Sequence, residues 1–133
     1  METLKSLSDV HILIAEDSIV NQMLMRKIVE RIGMKVDVVP NGLEVLIKLE
    51  EQPKKYDLIL MDLQMPQMNG LDATKEIVKL YGNDRPKIFA ISAGSFEDDE
   101  NLYREAGMDD SLDKPFKSEQ LVAMMNKHNI LVA

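Results

Sequence analysis

Five polar side chains carry the chemistry open to this 133-residue chain: the neighbouring acids Glu16 and Asp17, the acid Asp62, the hydroxyl of Ser92 and the ammonium of Lys114. Each closes or follows a short apolar segment: VHILIA before Glu16-Asp17, YDLILM before Asp62, PKIFAI before Ser92, and a brief stretch at 110–112 before Lys114. On one rim, three carboxylates repel one another, which costs stability unless something neutralises them. A hard divalent cation does so, and Mg²⁺ takes oxygen ligands while keeping several waters. Beside such a cation and a lysine, a free carboxylate can act as nucleophile toward a phosphoryl group, giving an aspartyl phosphate. Singly, each residue has an ordinary alternative. Glu16-Asp17 can be a helix cap and first-turn charge, Asp62 a turn residue, Ser92 a strand-end hydroxyl and Lys114 a solvated cation. Together, at the ends of successive strands, they favour a site.

The elements that must deliver these residues alternate along the chain. Residues 10–15 read as a buried strand. Residues 18–32 read as a helix, with Val20, Leu24, Ile28 and Ile32 spaced by four and Gly33 as its stop. Residues 35–39 form a β-branched strand. Asn41 opens a second helix, with Glu44 as capping-box partner and Val45, Leu46 and Leu49 as inner stripe. A strand at 56–61, a helix at 71–81 closed by Gly82, and a strand at 86–92 follow. Ser95, with Asp98 three residues on, can cap a fourth helix ending at Gly107, and a short strand at 110–112 and a helix at 118–127 complete the pattern. Strands alternating with helices argue for a parallel sheet covered on both faces. The expected class is α/β, a flavodoxin-like (βα)5 doubly wound sheet with strand order 2-1-3-4-5, whose ligands sit outside the carboxyl ends of the strands. Residues 1–9 read as a leader or linker, 10–128 as the domain and 129–133 as a C-terminal tail.

Composition narrows the function. The chain carries 16 Lys and Arg against 23 Asp and Glu, a net charge of −7. That field disfavours direct contact with nucleic acid or anionic lipid. Cysteine is absent, which excludes disulfide scaffolds, thiolate metal sites and thiol nucleophiles. With only His11 and His128, a His-rich metal centre or a Ser-His-Asp triad is disfavoured. No apolar run approaches the roughly 20 residues of a membrane span. The expectation is a cytoplasmic, monomeric domain. The first βα turn, AEDSIVNQ, lacks the glycines a dinucleotide pyrophosphate requires.

The residues that carry this pattern make the chain resemble the receiver domains of two-component response regulators. They are the pair Glu16-Asp17, Asp62 within LILMDLQMPQMNG, Ser92-Ala93 thirty residues on, and Lys114-Pro115 fifty-two residues on. The runs IAEDSIVNQ, PNGLEVL and GMDDSLDKPF look like receivers attached to hybrid sensor histidine kinases. The resemblance implies that Asp62 accepts a phosphoryl group from a phosphohistidine on a histidine kinase or histidine phosphotransfer domain. It implies Mg²⁺ held by Asp17 and Asp62, by Glu16 through water, and by the backbone carbonyl of Gln64. It implies that Ser92 and the Ala93 N–H bind the phosphoryl group, with Lys114 pairing first with the carboxylate and then with the phosphate. A cis peptide before Pro115 is expected. Gln64 and Gly94 stand where the family tunes the lifetime of the phosphate.

This chain departs from the family at Ser111, where an aromatic switch residue is usual. Ser111 fits a relay module that passes phosphate on, or neutral drift on a surface strand. Asp113, beside Lys114, is also unusual, and Ser18 replaces a common Asn while still able to cap the helix. On the first helix, Val20, Leu24, Met25, Ile28, Val29 and Ile32 fall on one half of the wheel, and Ile19 and Met23 lie four apart on the opposite, outward half, beside Asp17. They are expected to form an apolar patch that docks the partner helix carrying the phosphohistidine. A phosphatase of the haloacid dehalogenase type would need an acid two residues after Asp62, where Gln64 stands. The remaining alternative is a pseudo-receiver that interacts with partners without taking phosphate. Such a module is expected to lose Asp62, Lys114 or the acidic pair, and all are present.

Overall fold

The computed structural model describes residues 6–92 and 100–130. Ala93, Gly94, Ser95 and Asp98 lie outside the described residues. Five parallel strands, β1 His11–Ala15, β2 Lys35–Val39, β3 Leu58–Asp62, β4 Lys87–Ser92 and β5 Asp110–Asp113, form one sheet in the order β2-β1-β3-β4-β5. Among the described residues, five α-helices alternate with them: α1 Ile19–Ile32, α2 Gly42–Glu51, α3 Gly70–Tyr81, α4 Glu100–Ala106 and α5 Ser118–Lys127. This is the expected flavodoxin-like architecture.

Every residue of β3 is buried, and β1 and β4 are buried along nearly their whole length, as strands covered on both faces must be. Successive side chains point to opposite faces, which divides the core in two. Ile12, Ile14, Leu58, Leu60, Phe89 and Ile91 meet Met25 and Val29 of α1 and Leu121 and Met125 of α5. Leu13, Ala15, Ile59, Met61, Ile88 and Ala90 meet Val45 and Leu49 of α2, Ala73 and Ile77 of α3 and Tyr103 of α4.

The helix starts follow capping chemistry. The side chains of Ser18, Asn41 and Asn69 accept from the N–H groups of Asn21, Glu44 and Asp72 at 3.4, 2.9 and 2.9 Å. The buried face of α1 is narrower than the half-wheel predicted for it, which held Val20, Leu24, Met25, Ile28, Val29 and Ile32. Val20 and Leu24 are 66% and 54% exposed, and the sheet-facing arc is Met25 and Val29, flanked by the partly buried Ile28 and Ile32. At about 100° per residue, Val20 stands about 140° round the wheel from Met25, too far to reach the sheet. The inner stripe of α2 is as expected, with Val45 and Leu49 buried and Leu46 packed against them.

Candidate functional site

The carboxyl ends of β1, β3, β4 and β5 converge on one rim. β1 runs out at Ala15, and the Glu16 N–H donates to the carbonyl of Val39 at 3.0 Å, so Glu16 is the last residue of this segment tied to the sheet. Asp62 closes β3 and pairs in register with Ile91, placing Ser92 one residue beyond it on the neighbouring strand. Lys114 follows β5 and donates its backbone N–H to the carbonyl of Ser92 at 2.7 Å. The Lys114–Pro115 peptide is cis.

The Lys114 ammonium bridges two carboxylates. It donates to Asp62 Oδ2 at 2.9 Å and to Glu16 Oε1. Glu16 and Asp62 are 1% and 6% exposed. Buried carboxylates are strongly unfavourable unless paired and hydrogen-bonded, and both are. The second oxygen of Glu16 accepts from the Ser18 N–H at 3.0 Å, and Asp62 Oδ1 accepts from the Gln64 N–H at 3.1 Å. Burial lowers the pKa of Lys114, but hydrogen bonds to Glu16 and Asp62 and their charges outweigh it and hold the value above the ordinary 10.5. The ammonium therefore stays charged throughout the neutral range.

Asp17 is exposed at the mouth of the site. One oxygen each from Glu16, Asp17 and Asp62 lies within 4.8 Å of the others. Three carboxylates against one ammonium leave an excess of two negative charges, which the donor chemistry of a hard divalent cation suits. No thiolate and no imidazole belongs to this cluster, so the set is all-oxygen, the kind Mg²⁺ takes.

Of the residues singled out in the sequence, Glu16, Asp17, Asp62 and Lys114 come together directly, and Ser92 adjoins them through the Lys114 N–H. Gln64 is exposed and meets Asp62 through its N–H. Ile19 and Met23 are 71% and 57% exposed at the start of α1, and Pro115 is exposed and lines a nearby groove of about 350 Å³ with Asn21, Leu24, Ile28 and Phe116. Ser111 lies in β5 opposite Ala90, half-buried. Ala93 is outside the described residues.

Two features escaped the sequence reading. The Gln22 side chain donates to the carbonyl of Glu16 at 2.6 Å; a glutamine in a first helical turn gives no signal of such a reach. Gly70 packs so closely that a Cβ there would stand 2.3 Å from the carbonyl oxygen of Asp62.

Comparison with known proteins gives this geometry a family. A model described as "Response regulator receiver domain" matches residues 12–126. The chain is 38% identical over 118 residues to the aerobic respiration control sensor protein ArcB of Escherichia coli (strain K12), covering 88% of this chain and 15% of that protein. It is 42% identical over 119 residues to the hybrid signal transduction histidine kinase K of Dictyostelium discoideum, covering 84% of this chain and 10% of that protein. The chain thus spans a small part of the length of these relatives. Among solved structures, the receiver domain of sensor histidine kinase PA1611 from Pseudomonas aeruginosa PAO1, described with a magnesium ion coordinated in the active site cleft, superimposes with a TM-score of 0.79. It is 34% identical, covering 89% of this chain and 95% of that one. The chain belongs to the response regulator receiver domain family of two-component signalling.

Proposed function

We propose that Asp62 accepts a phosphoryl group from a phosphohistidine and passes it on, or loses it slowly to water. The observation that carries this reading is the Lys114 ammonium on Asp62 inside an acidic, oxygen-only cluster. Glu16, Asp17, Asp62 and the Gln64 carbonyl are the residues that would hold Mg²⁺. When bound, the ion supplies positive charge beside the phosphoryl oxygens, where positioning and neutralisation are most of the catalysis.

The chain's own residues do the rest. A carboxylate oxygen of Asp62 forms the new bond to phosphorus as the P–N bond of the phosphohistidine breaks. The electron pair leaves with the imidazole, which takes up a proton from water, and because the attacking carboxylate has no proton to lose, this chain needs no general base. Lys114 is already on Asp62 and faces the negative charge that builds on the phosphoryl oxygens. Ser92 and the Ala93 N–H are proposed as hydrogen-bond donors to that group. Ser111 in place of an aromatic side chain favours a relay role.

Incubation with acetyl phosphate and Mg²⁺ should give a labile mass increase of one phosphoryl group, absent in Asp62→Asn. Its absence in the wild type would favour a pure interaction module.

The donor is proposed to be a histidine kinase or a histidine phosphotransfer domain, docking on the exposed Ile19 and Met23 beside the site. Met23→Asp should slow transfer from such a donor about tenfold while leaving the acetyl phosphate reaction unchanged, since a charge in an apolar contact costs on the order of 1–2 kcal/mol. Equal transfer rates would remove this surface from the proposal.

A further inference from the structure

We propose that Gln22 is the positioning residue of the acidic loop, holding the peptide between Glu16 and Asp17 so that the two carboxylates face one cation. The inference rests on the reading of Glu16, Asp17 and Asp62 as a Mg²⁺ site.

The loop between β1 and α1 is only three residues long, from Glu16 to the cap Ser18. Glu16 is anchored at both ends of its residue: its N–H goes to Val39, its side chain to Lys114 and the Ser18 N–H. Asp17 is exposed, so the backbone that carries it, more than packing, sets its orientation. The Gln22 Nε2–H acts on that backbone. It donates to the Glu16 carbonyl at 2.6 Å. Because the peptide is planar, holding the carbonyl of Glu16 also holds the N–H and Cα of Asp17 in one plane.

Gln22 is suited to this by its own support. It lies in the first turn of α1, half-buried, and its N–H donates to the Ser18 carbonyl at 2.8 Å. The bonds close a ring. The Glu16 carboxylate holds the Ser18 N–H, the Ser18 carbonyl holds the Gln22 N–H, and the Gln22 amide returns to the Glu16 carbonyl. Groups that orient metal ligands in this indirect way are typically worth about tenfold or more in metal affinity.

The test is Gln22→Met, which keeps the length of the side chain and removes the donor. Titration with Mg²⁺ alone, followed by calorimetry, should show affinity reduced about tenfold. Thermal unfolding in EDTA should stay within about 3 °C of wild type, as for a half-exposed substitution. Hydrogen exchange in EDTA should quicken at the amides of Asp17 and Ser18 and not within β1. Wild-type Mg²⁺ affinity in Gln22→Met overturns the inference. So does a loss of affinity matched by an equal loss of stability in EDTA, which marks a merely structural role. Asp17→Asn separates this from the underlying reading. If the wild type shows no saturable binding, or Asp17→Asn binds as well as wild type, the acidic trio is not the metal site and the inference falls with it. If Asp17→Asn loses binding while Gln22→Met keeps it, only the role of Gln22 fails.

Discussion

Lys114 balances two carboxylates that have almost no access to water. Removing one partner of a buried ion pair is far costlier than the pair is worth, because the remaining charge stays buried. Lys114→Met should therefore lower stability in EDTA by about 3 kcal/mol, read from urea unfolding. Saturating Mg²⁺ should recover part of the loss, because a ligand that binds only the folded state stabilises it by mass action. A Lys114→Met protein as stable as wild type in EDTA would show that Glu16 and Asp62 tolerate each other unpaired. The pH sign is definite. With its pKa raised above 10.5, Lys114 contributes stability in full below that value and loses it only as the pH climbs through the raised one. Its pairing gives no pH dependence near neutrality.

At the scale of elements, the approach of α3 to β3 holds Asp62 in place. The chain returns from Asp62 over a loop to α3, whose first residue, Gly70, lies against the backbone it left. A Cβ there would meet the Asp62 carbonyl oxygen at 2.3 Å and Met61 Cγ at 2.9 Å. Backbone cannot yield as a flexible side chain does, so Gly70→Ala must move the end of β3. It should cost about 2–3 kcal/mol and slow phosphoryl uptake from acetyl phosphate severalfold. Gly82 supplies the contrast at the far end of α3. Nothing lies within 4 Å of its Cβ position, but its φ of +55° favours glycine. Gly82→Ala should cost about 1 kcal/mol through backbone strain alone and leave phosphoryl uptake unchanged. Equal uptake by Gly70→Ala and wild type would show that β3 absorbs the shift without moving Asp62.

At the scale of the whole molecule, a second polar cluster lies toward the opposite end of the sheet and contributes to the response to acid. Asp37 on β2 accepts from the Tyr56 hydroxyl at 2.7 Å and pairs with His11 at 3.1 Å and Lys55 at 3.0 Å. Burial pushes the Asp37 pKa up, but the hydrogen bonds from Tyr56 and Lys55 and the nearby positive charge bring it down to about 2. Its contribution to stability is present above its ordinary value of 3.8 and is lost as the pH falls through about 2. Burial lowers the His11 pKa below 6.5 against the pull of Asp37. A lowered histidine favours the neutral form, so its contribution is present above 6.5 and is lost as the pH falls through the lowered value. Thermal unfolding across pH should show two steps of weakening. Asp37→Asn should reduce the loss between 3.8 and about 2, the rest being carried by Asp109 and Asp110, which their hydrogen bonds also hold below 3.8, and an unchanged acid limb would refute the assignment.

The amino-acid sequence by itself determined the layered fold and the membership of the site. Apolar runs of strand length alternating with helical periods admit one economical arrangement, a parallel sheet covered on both faces. Strand-end position then assigned Glu16, Asp17, Asp62, Ser92 and Lys114 to one rim without any distance being known. Only the tertiary structure decided how those groups share charge. Whether the ammonium of Lys114 meets one carboxylate or two depends on the relative height of β1, β3 and β5, and no local pattern encodes that height. The tertiary structure also decided how much of the apolar half of α1 is covered. Hydrophobic spacing put Val20 and Leu24 inward along with Met25 and Val29, yet the narrow arc centred on the latter pair is all the sheet can cover. The hold of Gln22 on Glu16 and the contact of Gly70 with Asp62 were hidden for the same reason. Both are close approaches made after the chain has turned back on itself, where three-dimensional proximity, and not residue type or period, carries the information.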